Sequence, residues 1–220
     1  MDRTTLKRKP ALTAEEQERL RQEIIDVGRE LFASKGTYGF STRALAKRLN
    51  MSHGNLYNYF QSKRELWIAI REQDLKELKR KMEEIINSHK GDILSLDIKL
   101  VEYFLDFAHK ENNKFQMLFI IPEPPSKKVG PIEENYEVID PLDVLRKFLK
   151  KGMDEGVIKK MDIDLLNLYC YAMSVGAALV ESHLRLRDKI FEPLNKGSSE
   201  NIIKKFRKFL IERSIETYYV

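Results

Sequence analysis

Between Ser41 and Glu65 the chain has room for little besides two short helices joined by a tight turn. Ser41 or Thr42 is a helix N-cap, a residue type whose side-chain oxygen satisfies the free amides of a first turn. Leu45, Ala46 and Leu49 then fall at the spacing of one buried helical face. Asn50-Met51 makes the turn, and Ser52 caps a second helix that points Leu56 and Phe60 inward. Ser62-Lys63-Arg64-Glu65 has the pattern of a capping box and opens a long helix. The middle helix carries Ser52, His53, Gly54, Asn55, Tyr57 and Asn58 on its outer surface, too polar and too aromatic for a core helix. This is the layout of a helix-turn-helix, which offers one short helix to the major groove of DNA.

Helical spacing continues on both sides. Thr13-Ala14-Glu15-Glu16 is a capping box for a first helix, with Leu20, Ile24, Val27 and Leu31 recurring along it and Lys35-Gly36 ending it. After Ser62 a helix striped by Trp67, Ile70, Leu75, Leu78, Met82 and Ile85 runs to about Ser88; about 25 residues span ~37 Å. Further helices are predicted over 92–110 and 113–121. Residues 122–139 read as a loop behind Pro122-Glu123-Pro124-Pro125. Asp140-Pro141 opens a helix that Gly156 ends. Asp162 caps a long apolar helix through Leu186, Pro193, Asn195 and Gly197 mark a loop, and Ser199 caps a last helix to about Tyr218. No strand pattern or internal repeat appears. The expected fold is all-α, about nine helices: a flexible basic arm (1–12), a three-helix DNA-binding domain (13–62) and a helical domain for effector binding and dimerisation (63–220).

The 220 residues suffice for one large or two small domains. Lys, Glu and Ile are abundant and Gln is sparse, a bias that fits a hot-growing source. The single cysteine, Cys170, excludes an internal disulfide and a cysteine-rich zinc site. No apolar run approaches the ~18 residues of a membrane span, and the basic N-terminus has no apolar stretch behind it, so a cytoplasmic protein is expected. The net charge of +5 is placed unevenly. Residues 1–70 hold 13 Lys and Arg against 8 Asp and Glu, whereas residues 71–220 hold 26 of each. The excess therefore lies on the helix-turn-helix segment, where phosphate neutralisation would supply DNA affinity; ordinary scatter of five charges is the bland alternative.

Asn55 and Asn58 can donate and accept at base edges. Gly54, costly inside a helix, makes sense where the backbone must approach another surface closely. Tyr57 offers a hydroxyl to phosphate and a ring to a thymine methyl. Thr42, Arg43 and Lys63 flank the helix at helix starts, where phosphates bind. Phe60 reads as core, Tyr59 as a phosphate contact or core, His53 as a contact or a solvated residue, and Lys47-Arg48 as a solvated face.

The run Ser41–Lys63, with its core Gly54-Asn55-Leu56-Tyr57-Asn58-Tyr59-Phe60 followed by Ser62-Lys63, resembles the N-terminal domain of the TetR family of transcriptional regulators. Ile24–Gly36 is similar to that family's first helix. His53, where a Lys is common, and Asn55, where Thr or Ser is common, depart from the pattern and leave the DNA sequence preference open. The resemblance implies a homodimer through the last two long helices, two recognition helices on a palindromic operator, and an all-helical C-terminal domain with a small-molecule effector pocket. The effector would shift the fourth helix and release a repressor. The residues themselves allow the last helices to pair between subunits or to be buried within one.

For the pocket the aromatic and Met inventory supplies Phe104, Phe107, Phe115, Met117, Phe119, Phe148, Tyr169 and Met173, of which a part is expected to be core only. Its apolarity suits an acyl chain, an acyl-CoA or a lipophilic compound. An enzyme is not expected: there is no nucleophile elbow, phosphate loop or His-Glu metal spacing, His89, His109 and His183 stand apart, and no cofactor or metal is implied. The competing class is a helical interaction module whose helix-turn-helix touches protein in place of DNA.

Overall fold

The computed structural model describes residues 12–126, 128–186 and 198–220. The basic arm up to residue 11 and the loop marks Pro193, Asn195 and Gly197 lie outside the described residues. In chain order the helices are α1 (Ala14–Gly39), α2 (Thr42–Arg48), α3 (His53–Tyr59), α4 (Lys63–Ser88), α5 (Ile93–Lys110), α6 (Asn112–Phe115), α7 (Pro131–Glu134), α8 (Asp143–Asp154), α9 (Ile163–Arg185) and α10 (Ser199–Tyr218). A single π-helical turn, Gln116–Ile120, follows α6. The described residues contain no strand beyond an isolated bridge between Ile158 and Tyr219.

Two compact units divide the chain: one runs to Ile70 and adds Ile121–Tyr136, the other takes Arg71–Ile120 and Glu137–Val220. The division falls inside α4, not at its start as expected, and a segment from the middle of the chain joins the first unit.

In the first unit the expected capping box of α1 is formed: Glu16 N donates to Thr13 Oγ1 at 3.2 Å and Thr13 N to Glu16 Oε2 at 2.8 Å. Helical geometry breaks at Gly36, whose φ of 64° is left-handed and suits glycine, and a last turn continues to Gly39. Ser41 caps α2 and Ser52 caps α3. Ile24, Ile25, Phe32, Leu45, Leu56, Leu66 and Ile70 close a solid core, with the Phe32 and Phe40 rings stacked at 3.8 Å.

The box predicted at Ser62–Glu65 forms only by half. Ser62 Oγ accepts from Glu65 N at 3.0 Å. The Glu65 carboxylate does not return to the cap; it accepts from Gln61 N at 2.6 Å and, far along the chain, from Ile132 N at 2.8 Å. Glu65 is fully buried, and a Cβ on Gly130 would run into its carboxylate. The described residues of 121–136 thus form a strap on α1 and the start of α4. Thr37 Oγ1 donates to the Pro122 carbonyl. Arg64 pairs with Glu123 at 2.7 Å and Glu133 at 2.9 Å and donates to the Pro124 carbonyl. The strap, predicted as pure loop, contains α7, with Pro131 at its first position.

In the second unit two apolar clusters meet. One joins Leu75, Leu78, Leu105, Phe107, Phe115 and Leu118 to Ala177 and Ala178; the other joins Leu96, Leu100, Phe148, Leu149, Leu166 and Tyr218. The predicted helix over 113–121 is α6 plus the π-helical turn, whose Met117 and Leu118 carbonyls accept from Arg71 at 3.0 and 2.7 Å. Asp140-Pro141 does not open α8. Asp140 Oδ1 accepts from Leu142 N at 2.8 Å, a side-chain turn that delays the helix to Asp143. Ser198, not Ser199, holds the cap position of α10.

One expectation on apolarity needs correcting. The α9 segment Ile163–Arg185 is 23 residues long with a mean hydropathy of 1.5 over its most apolar window, which passes for a membrane span by length and composition. Core positions and exposed apolar positions together produce that run: α9 buries Leu166, Ala177, Ala178 and Leu184 while leaving Leu165 and Leu168 exposed.

Candidate nucleic-acid interface and effector cavity

The short α3 is held by its own buried side, with Leu56 inward and Phe60 buried just past its end. Its other side is open. Ser52, Gly54, Tyr57 and Asn58 are exposed, Tyr57 by 42%. A Cβ placed on Gly54 would meet nothing within 4 Å. No contact within the subunit therefore requires a glycine there, and the residue leaves the outer surface of the helix bare. From Ser41 to Arg64 the chain has no acidic residue.

The neighbouring candidates are tied to one another. His53 Nε2 and Thr42 Oγ1 lie 2.9 Å apart, and the His53 ring meets the edge of Tyr57 at 4.8 Å. Asn58 Nδ2 donates to Asn55 Oδ1 at 3.4 Å. The first of these contacts ties α3 to α2, and the other two lie within α3. Arg43 is exposed and Tyr59 half-buried. Arg48 is paired with Glu30.

Lys63 lies differently from its sequence reading. Its ammonium turns inward, donating to the Thr37 and Phe40 carbonyls and lying 5.4 Å from the centre of the Phe40 ring. Burial lowers its pKa. In this position it caps the end of α1 and joins α1 to α4, a role that spacing alone does not reveal.

The second site is a cavity of about 100 Å³ inside the second unit, several times the space one water needs. Phe104, Phe119, Tyr169 and Met173 line it as expected. Phe107, Phe115, Met117 and Phe148 do not: Phe115 and Met117 are fully buried in solid packing, Phe107 faces a separate charged groove and Phe148 lies in the other apolar cluster. Helical periodicity marks a buried face but does not say whether the face ends in packing or in space.

The polar members of the lining are Asp97, Ser174, Ser214, Cys170 and the tyrosines, and no Lys, Arg or His is among them. Asp97 went unpredicted, although one signal was available. It occupies a core position of α5, beside Ile93, Leu96 and Leu100, where an apolar residue belongs. Its Oδ2 accepts from Tyr218 at 2.7 Å and Tyr219 at 3.0 Å. Burial raises the Asp97 pKa while the two phenols act against that shift. Burial also pushes the Cys170 thiol up to about 12, so it stays protonated and unreactive at neutral pH.

A third cluster ties α10 to its neighbours. Arg207 donates to both oxygens of buried Glu181 at 2.7 and 2.8 Å and to Asp106 at 2.8 Å. The hydrogen bond from Arg207 to Glu181 is the largest influence holding its guanidinium protonated. No group of three or more His, Cys, Asp or Glu suited to a metal occurs among the described residues.

Comparison with known proteins agrees with this geometry. Residues 24–70 match the family profile described as bacterial regulatory proteins, tetR family. An HTH-type transcriptional regulator of Staphylococcus aureus is 29% identical over 94 residues, 43% of this chain and 49% of the relative, so the match spans about half of that protein. A tetR family transcription regulator from Shewanella superposes with a TM-score of 0.66 at 18% identity, covering 91% of this chain and 98% of that one. The transcriptional regulator FadR of Bacillus subtilis, solved in complex with stearoyl-CoA, gives 0.61 at 18% identity, covering 86% and 97%. At such identities these likenesses concern the fold. The profile match lies on the helix-turn-helix unit formed by α1–α3, so residues 24–70 are similar to the tetR family of bacterial regulatory proteins, and the all-helical body that follows shares its fold with solved regulators of that kind.

Proposed function

We propose that the chain is a DNA-binding transcriptional regulator whose α3 enters the major groove and whose second unit binds a small, largely apolar effector. The observation that carries this reading is the bare surface of α3 at Gly54, with Tyr57 and Asn58 exposed beside it. Asn55 and Asn58 contact base edges, Tyr57 contacts phosphate or a thymine methyl, and Thr42 and Arg43 contact the backbone. Ser52 and Tyr59 flank them, and His53 holds Thr42 and Tyr57 in place. Lys63 acts by fixing the end of α1.

A second copy binds through α9 and α10. The exposed apolar side chains Leu165, Leu168 and Phe209 support this, at 67%, 53% and 56% exposure. The dimer then presents two α3 helices to half-sites about one turn, ~34 Å, apart. The effector favours a state in which that spacing is wrong, and DNA affinity falls by the difference in its affinity for the two states, typically ~1–3 kcal/mol. The protein acts as a repressor in the cytoplasm, where its operator lies.

Selection of duplexes from a random pool, followed by gel shift of the winner, tests the reading. Binding should fall steeply with salt as counterions are released, and Tyr57→Ala should weaken it at least ~10-fold with an unchanged circular-dichroism spectrum. Failure to select any duplex at low ionic strength would instead favour a protein-docking module.

A further inference from the structure

The lining of the second unit's cavity holds one acidic side chain and no basic one. Asp97 is 7% exposed and lines the space. Both phenols converge on its Oδ2, and its Oδ1 accepts no hydrogen bond among the described residues. The lining brings no cationic side chain within the cavity. A buried carboxylate with one oxygen spare is costly, because burial disfavours the charge and a half-satisfied group keeps most of the penalty. A protein that only needed a packed core would gain by an apolar residue at this position of α5. The spare oxygen therefore makes most sense as one half of a contact whose other half arrives with the ligand.

We propose that the effector is a lipophilic amine, seated with its hydrocarbon body among Phe104, Phe119, Met173 and Leu145 and its ammonium on Asp97. The inference rests on the effector role proposed for the cavity and narrows it. An ammonium supplies both the missing donor and the missing charge, and the pair gains strength from the low dielectric around it. An anionic head, as in a fatty acid or an acyl-CoA, meets the opposite conditions: a second buried negative charge beside Asp97, with no Lys, Arg or His in the lining to receive it. Tyr218 and Tyr219 fix the carboxylate by its Oδ2 from α10's end and leave Oδ1 unclaimed. The groups facing Asp97 from the other elements are Cys170 on α9 and these two phenols, all pushed upward by burial and neutral through the carboxylate range.

The test uses the whole 220-residue chain and three probes of equal chain length: octylamine, octanoate and octanol, titrated by calorimetry. Octylamine should bind roughly tenfold tighter than octanol, the gain ordinarily given by one charge-assisted hydrogen bond, and octanoate weakest. Asp97→Asn should erase the preference for the amine while leaving octanol affinity within about twofold. Tyr219→Phe, which keeps the carboxylate, should retain the preference and guards against misfolding of the first variant. Asp97 is held above the ordinary carboxylate range; protonated, it has no charge for the amine. Octylamine affinity should therefore rise with pH through that raised value, and octanol affinity should stay flat. Octanoate binding as tightly as octylamine would overturn the assignment of charge and leave the effector cavity standing. Binding of none of the three, with DNA binding intact, would overturn the cavity as an effector site as well.

Discussion

Replacing Glu65 by glutamine changes one atom and should cost a large part of the first unit's stability. Each oxygen of the Glu65 carboxylate accepts one backbone amide, from Gln61 and from Ile132. Glutamine keeps a single acceptor. Whichever amide takes it, the other faces an NH2 group in a site closed to water, and an orphaned buried donor costs ~1–3 kcal/mol. The remaining bond loses its charge, worth another ~0.5–1.5 kcal/mol. The sum, ~2–4 kcal/mol, should lower the urea midpoint by roughly 1–2 M at an ordinary m-value. It should also speed hydrogen exchange at the Ile132 amide, whether the strap lifts locally or the unit unfolds. Gly130→Ala reaches the same carboxylate from the other side, because the added carbon meets it directly. The double variant should then lose less than the two singles combined, since one displaced contact cannot be lost twice. A Glu65→Gln protein within ~0.5 kcal/mol of wild type, with Ile132 exchange unchanged, would refute the reasoning.

Gly54→Ala should hold or raise thermal stability, by up to ~1 kcal/mol, because helix propensity improves and the new carbon meets open space. Gly54→Leu should fold equally well yet lose operator binding by more than ~10-fold in a gel shift, which separates surface approach from folding. Arg207→Met should destabilise by about 3 kcal/mol in urea melts, since it strands the buried Glu181 charge. That is the low end for such a change because Arg185 remains 4.0 Å away, and adding Glu181→Leu should recover most of the loss.

Much of the first unit is legible from local pattern. The Thr13 box and the caps at Ser41 and Ser52 act within three or four residues, so short spacing reveals them. Glu65 shows where that stops. Its fit to a capping box is real at the level of spacing, yet its carboxylate serves an amide 67 residues away, and no local pattern encodes that partner. Asp97 and its phenols are separated by 121 and 122 residues. The division of the aromatics has the same origin. Phe115 and Phe119 sit one helical turn apart and touch at 5.3 Å, but only Phe119 borders the cavity. Asp140-Pro141 misled for a different reason: the aspartate competes for the backbone two residues on, and turn chemistry wins over helix initiation.

The strap has a consequence for modular exchange. Because Ile121–Tyr136 supplies the amide that Glu65 needs, the first unit of this protein is assembled from two stretches of chain and has no single cut point. A chimera that joins residues 1–70 to a foreign helical body would carry a stranded carboxylate at the base of its long helix. Exchanging the second unit, in the laboratory or over evolutionary time, requires the inserted segment to travel with the first.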